Sequence, residues 1–141
     1  MNFLLDTNVL SEVRRPQPDA KVLAWLDQVD EDRVHLSVIS IAEIARGIGL
    51  LECGKRKSEL ALWLEHDLPV RFDGRLLSVD MPAALTWGQL MANSKRAGFA
   101  LSVMDGWIAA IALSKGLTLV TRNIKDFENL GIALLNPWLG E

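Results

Sequence analysis

Apolar residues run along this chain in two rhythms. Short, nearly continuous runs occur at Asn2 to Leu5, Arg33 to Val38, Arg75 to Val79, Leu117 to Thr121 and Ile132 to Leu135. Runs of this length, apolar on successive rather than alternate positions, predict strands buried on both faces. Between them lie longer stretches in which apolar residues recur every three or four positions: Ala20 to Val29, Ile39 to Leu51, Ser58 to Leu68, Ala83 to Ala97 and Val103 to Ser114. That spacing predicts helices. Gly54, Gly98 and Gly116 punctuate helix ends, Pro16 and Pro18 mark an early loop, and Asp80 ahead of Pro82 reads as a helix start. Strand and helix alternate, and parallel neighbours in a sheet need a crossover that is usually helical. The predicted fold class is therefore α/β, a three-layer α/β/α sandwich around a five-stranded parallel sheet.

Length adds that 141 residues make one domain of ordinary size, long enough for a real core and too short for two. With 50% hydrophobic and 23% charged residues, the composition is that of a globular protein and not of a disordered chain. The longest apolar helix, around Trp107 to Leu113, falls short of the roughly 20 residues that a membrane span needs. Met1 to Leu5 carry no basic leader, and the run stops at Asp6, so the expected location is the cytoplasm. Cys53 is the only cysteine, which excludes an intrachain disulfide and any Cys-rich metal centre.

Charge narrows the function classes. A net charge of -3 argues against broad electrostatic wrapping of nucleic acid, so any nucleic-acid substrate must be held locally. Basic residues cluster at Arg14 and Arg15, at Lys55 to Lys57, at Lys95 and Arg96, and at Arg122 and Lys125. The first three clusters read as solvated helix ends.

The candidate chemistry is acidic. In a parallel α/β sheet, ligands gather beyond the carboxyl ends of the strands. Asp6 ends the first predicted strand, and Asn123 follows the fourth in Thr121-Arg122-Asn123. Two further acids, Glu43 and Asp105, stand on helices that are otherwise almost wholly apolar. A carboxylate near apolar surface is costly unless it is paired, hydrogen-bonded or bound to metal. Three converging carboxylates repel one another, and a divalent cation reverses that balance. Hard oxygen donors without a Cys or His cluster point to magnesium, with manganese as a substitute. A structural reading of the same acids stays open: Ser40 precedes Glu43 by three positions, Ser102 precedes Asp105 by three, and both fit capping boxes, while Asp6 can cap a helix after it. Arg46, one turn after Glu43, is placed to pair with it.

Four segments in order, Phe3-Leu4-Leu5-Asp6-Thr7-Asn8-Val9-Leu10-Ser11-Glu12, then Ser40-Ile41-Ala42-Glu43 with Gly47, then Arg96-Ala97-Gly98 with Asp105-Gly106-Trp107-Ile108-Ala109-Ala110, and finally Thr121-Arg122-Asn123 through Asp126-Phe127 to Asn136-Pro137-Trp138, carry a resemblance over nearly the whole chain. The sequence resembles PIN-domain ribonucleases, and among them VapC toxins of bacterial toxin-antitoxin pairs, especially the FitB-like branch. The resemblance implies an acidic pocket holding one or two magnesium ions and hydrolysis of RNA to leave a 5′-phosphate and a 3′-hydroxyl. Carried over by position, Asp6, Glu43 and Asp105 are the metal-site and catalytic acids, with Thr7 a hydroxyl contact beside them. Where many relatives have a fourth acid, this chain has Asn123, with Asp126 three residues on as a substitute. Arg122 and Lys125 are candidate contacts to RNA phosphates. The resemblance also implies a small VapB-like antitoxin that blocks the pocket and a second copy of the chain, for which the helices Ser58 to Leu68 and Ala83 to Ala97 are candidate surfaces.

Two other readings compete. A phosphatase of haloacid-dehalogenase type needs an acid two places after Asp6, and that position is Asn8. A catalytically silent module of the same fold takes its support from the neutral Asn123.

Overall fold

A computed structural model describes residues 1–140. Five short strands, β1 (Phe3–Leu5), β2 (Val34–Ser37), β3 (Leu76–Leu77), β4 (Thr118–Val120) and β5 (Leu134–Leu135), form one sheet in the order β3-β2-β1-β4-β5. Every neighbouring pair is parallel. The helices are α1 (Thr7–Val13), α2 (Ala20–Gln28), α3 (Val38–Gly49), α4 (Lys55–Leu62), α5 (Leu68–Arg71), α6 (Met81–Ala97), α7 (Val103–Lys115) and α8 (Ile124–Phe127).

Side chains on successive strand residues point to opposite faces, so a strand buried on both faces feeds two cores. Phe3 and Leu5 of β1 join Val9, Leu10, Val22, Ile44, Ile48, Leu64 and Leu68 on one face. Leu4 of the same strand joins Ala83, Leu90, Ile108, Ile111, Leu119 and Phe127 on the other. Helices α1 to α5 thus cover one face and α6 to α8 the other, giving the three layers that the alternating pattern predicts. Among the described residues, no helix is long and apolar enough to cross a membrane.

The two longest helices pack closely because of one residue. A Cβ on Gly106 of α7 would lie 2.7 Å from Met91 Sδ and 3.0 Å from Trp87 Nε1 of α6. Trp87 then stacks on Trp107 with centroids 4.5 Å apart, an arrangement that leaves both rings half-buried at the helix interface. Gly98 and Gly116 close α6 and α7 in the left-handed conformation, as their positions predict. Asp80 caps α6, accepting from Ala83 N at 3.0 Å.

Several boundaries differ from the pattern-based ones. The predicted helix Ser58 to Leu68 begins earlier, at Lys55, and passes through a π-helical turn at Trp63–Asp67 into α5; Gly54 stands before this helix and not after α3. Helix α8 has no counterpart among the predicted elements, and α1 only the helix start that Asp6 marks. Each is short, seven residues and four, and two turns or fewer leave too little periodicity to separate a helix from a loop.

Candidate active site

Strand direction decides where the acids go. Asp6 follows β1 directly, and its N–H donates to Val120 O of β4 at 2.9 Å, so it sits at the carboxyl edge of the two central strands. Because β4 is parallel to β1, the helix that leads into β4 must run back across the sheet. The first turn of α7, with Asp105, therefore returns to that same edge. Helix α3 leaves the carboxyl end of β2 and carries Glu43 past α1.

Each acid is held by its own partners. Asp6 caps α1: Oδ1 accepts from Thr7 N at 2.8 Å, and Oδ2 accepts from Thr121 Oγ1 at 2.7 Å and from Asn8 Nδ2 at 3.3 Å. Thr121 Oγ1 in turn accepts from Asn123 N at 3.0 Å. Thr7 Oγ1 lies 2.7 Å from Glu43 Oε1 and 2.9 Å from Ser40 Oγ. A hydroxyl has one proton; Thr7 gives it to the carboxylate and receives the Ser40 proton. Asp105 N donates to Ser102 Oγ at 3.1 Å, so Ser102 caps α7 as the spacing predicts. Ser40 does not cap: the N-cap of α3 is Ser37, whose side chain accepts from Ser40 N. The capping alternative therefore describes Asp6 and Asp105 but not Glu43. Arg46 is exposed and forms no ion pair with Glu43 among the described residues.

The electrostatics join what the hydrogen bonds keep apart. Burial pushes the Asp6 carboxyl up to about 6, opposed by hydrogen bonds from Thr121 and Thr7, with the charges of Asp105 and Glu43 adding to the rise. Asp105 is also raised, first by burial, against the Ser102 hydroxyl, with the charges of Asp126 and Glu43 adding to it. Asp6, Glu43, Asp105 and Asp126 thus share one field. They are not drawn into a finished cage: among the described residues no three Asp, Glu, His or Cys side chains are arranged to hold a metal. Glu43 is held instead by Thr7 and Asp6 by Thr121. The donor set, all hard oxygen with two carboxyls held above their ordinary range by burial and by their neighbours, fits a divalent cation.

The fourth place is divided. Asn123 is exposed and its side chain caps nothing. Asp126, also exposed, is the residue whose charge reaches Asp105. Arg122 lies with its guanidinium 5.3 Å from the Trp138 ring centroid, and Lys125 is exposed. Asn8, Ser40 and Thr121 are supporting residues that the sequence marked otherwise, Asn8 only as a missing acid, Ser40 only as a helix cap and Thr121 only as part of a motif, because nothing linear marks which hydroxyl or amide reaches across to the site.

A family model described as PIN domain matches residues 3–132. The chain belongs to the PIN domain family. Toxin FitB of Neisseria gonorrhoeae is 42% identical to this PIN domain over 136 residues, covering 96% of the chain and 98% of that protein. VapC ribonuclease Y4jK of Sinorhizobium fredii is 37% identical, covering 96% and 97%. The crystal structure of FitAcB from Neisseria gonorrhoeae superposes with a TM-score of 0.90 at 42% identity, covering 96% of the chain and 98% of the solved one. Asn8 donates to Asp6 in this PIN domain, so the position where a haloacid-dehalogenase phosphatase needs its second acid is occupied by a donor.

The raised Asp6 carboxyl has a measurable consequence. Its folded value, about 6, lies above the 3.8 of a free aspartate side chain, so the folded state holds the proton more tightly. Stability is then greatest below pH 4 with respect to this group and is lost as pH rises through 6, by about 3 kcal/mol for a shift of this size. Urea unfolding of the metal-free protein at pH 4, 5, 6 and 7 checks it. Added magnesium should reverse the trend, because the ion favours the ionised carboxylates.

Proposed function

We propose that this PIN domain, residues 1–141 acting as one unit, is a magnesium-dependent endoribonuclease and the toxin of a VapBC-type toxin-antitoxin pair. One observation carries the reading: the charges of Asp105 and Glu43, from two other elements, add to the rise that burial imposes on Asp6 at the carboxyl edge of the central strands, and the charge of Glu43 adds to the rise at Asp105. The names of relatives at 42% and 37% identity, toxin FitB and VapC ribonuclease Y4jK, support the toxin role and the RNA substrate. PIN-domain ribonucleases are in general metal-dependent, and manganese is the expected substitute for magnesium.

Asp6 and Asp105 would hold the ion, with Glu43 ligating through water. A bound divalent cation supplies polarisation of the phosphoryl oxygen and a lower pKa for water. The remaining roles belong to side chains. Thr7 satisfies Glu43 Oε1, which leaves Oε2 to accept a proton from the attacking water as general base. Thr121 and Thr7 N fix the Asp6 carboxylate on the sheet edge. Asp126 would supply the fourth acid in place of Asn123, with one ion as the simplest stoichiometry. Arg122 and Lys125 would contact substrate phosphates as positioning groups.

The partners in this reading are RNA, a VapB-like antitoxin that covers the acids, and a second copy of the chain, all in the cytoplasm. Met81 and Leu85 on α6, 70% and 65% exposed, support the last, as apolar groups placed for a dimer surface. The test is cleavage of labelled single-stranded and stem-loop RNAs by antitoxin-free protein with magnesium, manganese or chelator. Cutting with either ion and none with chelator is expected, with 5′-phosphate products. Cleavage that survives chelation, or tight magnesium binding without cleavage of any RNA, would reject it.

A further inference from the structure

Two basic clusters that read as separate helix ends in the sequence meet in space. Arg56 Nη2 donates to the carbonyl of Arg14, tying the start of α4 to the end of α1. Both residues line a groove of about 250 Å³ between α1, α3 and α4, and Thr7 and Glu43 of the acid site line it too. The Arg14 guanidinium lies 5.3 Å from the centroid of Trp63, a half-buried indole in the same groove. Arg14 Nε is buried without a hydrogen-bond partner, the only side-chain atom of that kind among the described residues. Neither arginine has a carboxylate within ion-pair distance among those residues.

A partly desolvated cation without a counter-charge is costly, and an arriving anion removes that cost. On a chain of net charge -3, such a pair beside the acids is a local device and not part of a broad basic surface. The geometry points to a nucleotide subsite next to the cleaved phosphodiester, in which Arg14 and Arg56 take an RNA phosphate and an unstacked base lies against the Arg14 guanidinium held over Trp63. Guanidinium forks match phosphate oxygens, and aromatic faces hold bases in single-stranded RNA without regard to sequence. This inference rests on the ribonuclease reading and deepens it.

The experiment is binding of a labelled single-stranded RNA to the metal-free protein by fluorescence anisotropy across a salt series, with KM and kcat measured in magnesium. Arg14→Gln should weaken binding roughly tenfold, the effect of losing one charge-assisted contact, and make the salt slope shallower by about 0.7, one phosphate on a single strand. KM should rise while kcat stays near the parent value. Ser11→Glu, at an exposed position on the groove wall, adds repulsion without removing a packed group and should act in the same direction even if Arg14→Gln melts early. Unchanged binding and salt slope in both variants overturns the subsite and leaves the groove to a protein segment. Wild-type protein that binds and cleaves no RNA overturns the ribonuclease reading, and the subsite with it.

Discussion

Asp6→Asn should lower magnesium-dependent RNA cleavage by at least about 100-fold and at the same time raise the stability of the metal-free protein at pH 7. The loss follows from charge: Lewis-acid help at a phosphoryl group amounts to several kcal/mol, and each 1.36 kcal/mol is tenfold in rate. The gain follows from the same carboxyl. Held near a pKa of about 6 by burial and by Asp105 and Glu43, Asp6 is ionised at pH 7 against the preference of the fold, so its neutral replacement removes a cost of up to about 3 kcal/mol. Asn keeps an oxygen for Thr7 N, and Thr121 can turn to accept from the new amide, so of the contacts to the carboxylate only the 3.3 Å bond from Asn8 is lost. Cleavage rates beside thermal melts at pH 5 and pH 7 check both halves. Full activity in a folded variant would remove Asp6 from the site; a variant less stable than the parent at pH 7 would show that the hydrogen bonds to Thr121 and Thr7 outweigh the repulsion.

Phe127→Ala should cost about 3–5 kcal/mol, the range for emptying a buried aromatic site. Phe127 is 1% exposed and packs in the core formed by α6, α7 and β4. It is the anchor of α8, a helix of four residues too short to be stable without tertiary packing. Of a typical total of 5–15 kcal/mol, such a loss is large, and the chemical midpoint in urea should fall accordingly. The neighbouring Asp126 is exposed, and Asp126→Ala should leave stability within about 0.5 kcal/mol. A small effect of Phe127→Ala would mean that α8 is held by its backbone contacts alone. Because Asp126 rides on the same turn, loosening Phe127 should also reduce cleavage more than the stability loss explains if Asp126 supplies the fourth acid.

Much of the architecture was legible in the order of apolar residues. Five continuous apolar runs separated by helical spacing admit few arrangements other than a parallel sheet covered on both faces, since right-handed crossovers and double burial leave little choice. The positions of Asp6 and of Asp105 at the start of an apolar helix were legible for the same reason: each stands where a core-bound element begins. Helix α8, and of α1 everything but its start at Asp6, were not legible, being shorter than the window in which a helical period can be seen. The capping role of Ser40 was misread because the Ser-x-x-Glu pattern is local and the true cap, Ser37, lies at the end of β2, where the strand turns directly into α3.

What the sequence alone determined is the set of local facts: which stretches bury both faces, where helices stop at Gly98 and Gly116, and which acids are out of place among apolar neighbours. Only the tertiary structure decided how those acids are held. Thr7 reaches Glu43 across 36 residues and Thr121 reaches Asp6 across 115, and Arg14 meets Arg56 across 42. Periodicity reports the environment of one element at a time, whereas a hydrogen bond between elements depends on the register at which β1, β2 and β4 close into one sheet. That register, set by packing over both cores, turns separate acids into one field and two basic helix ends into one groove.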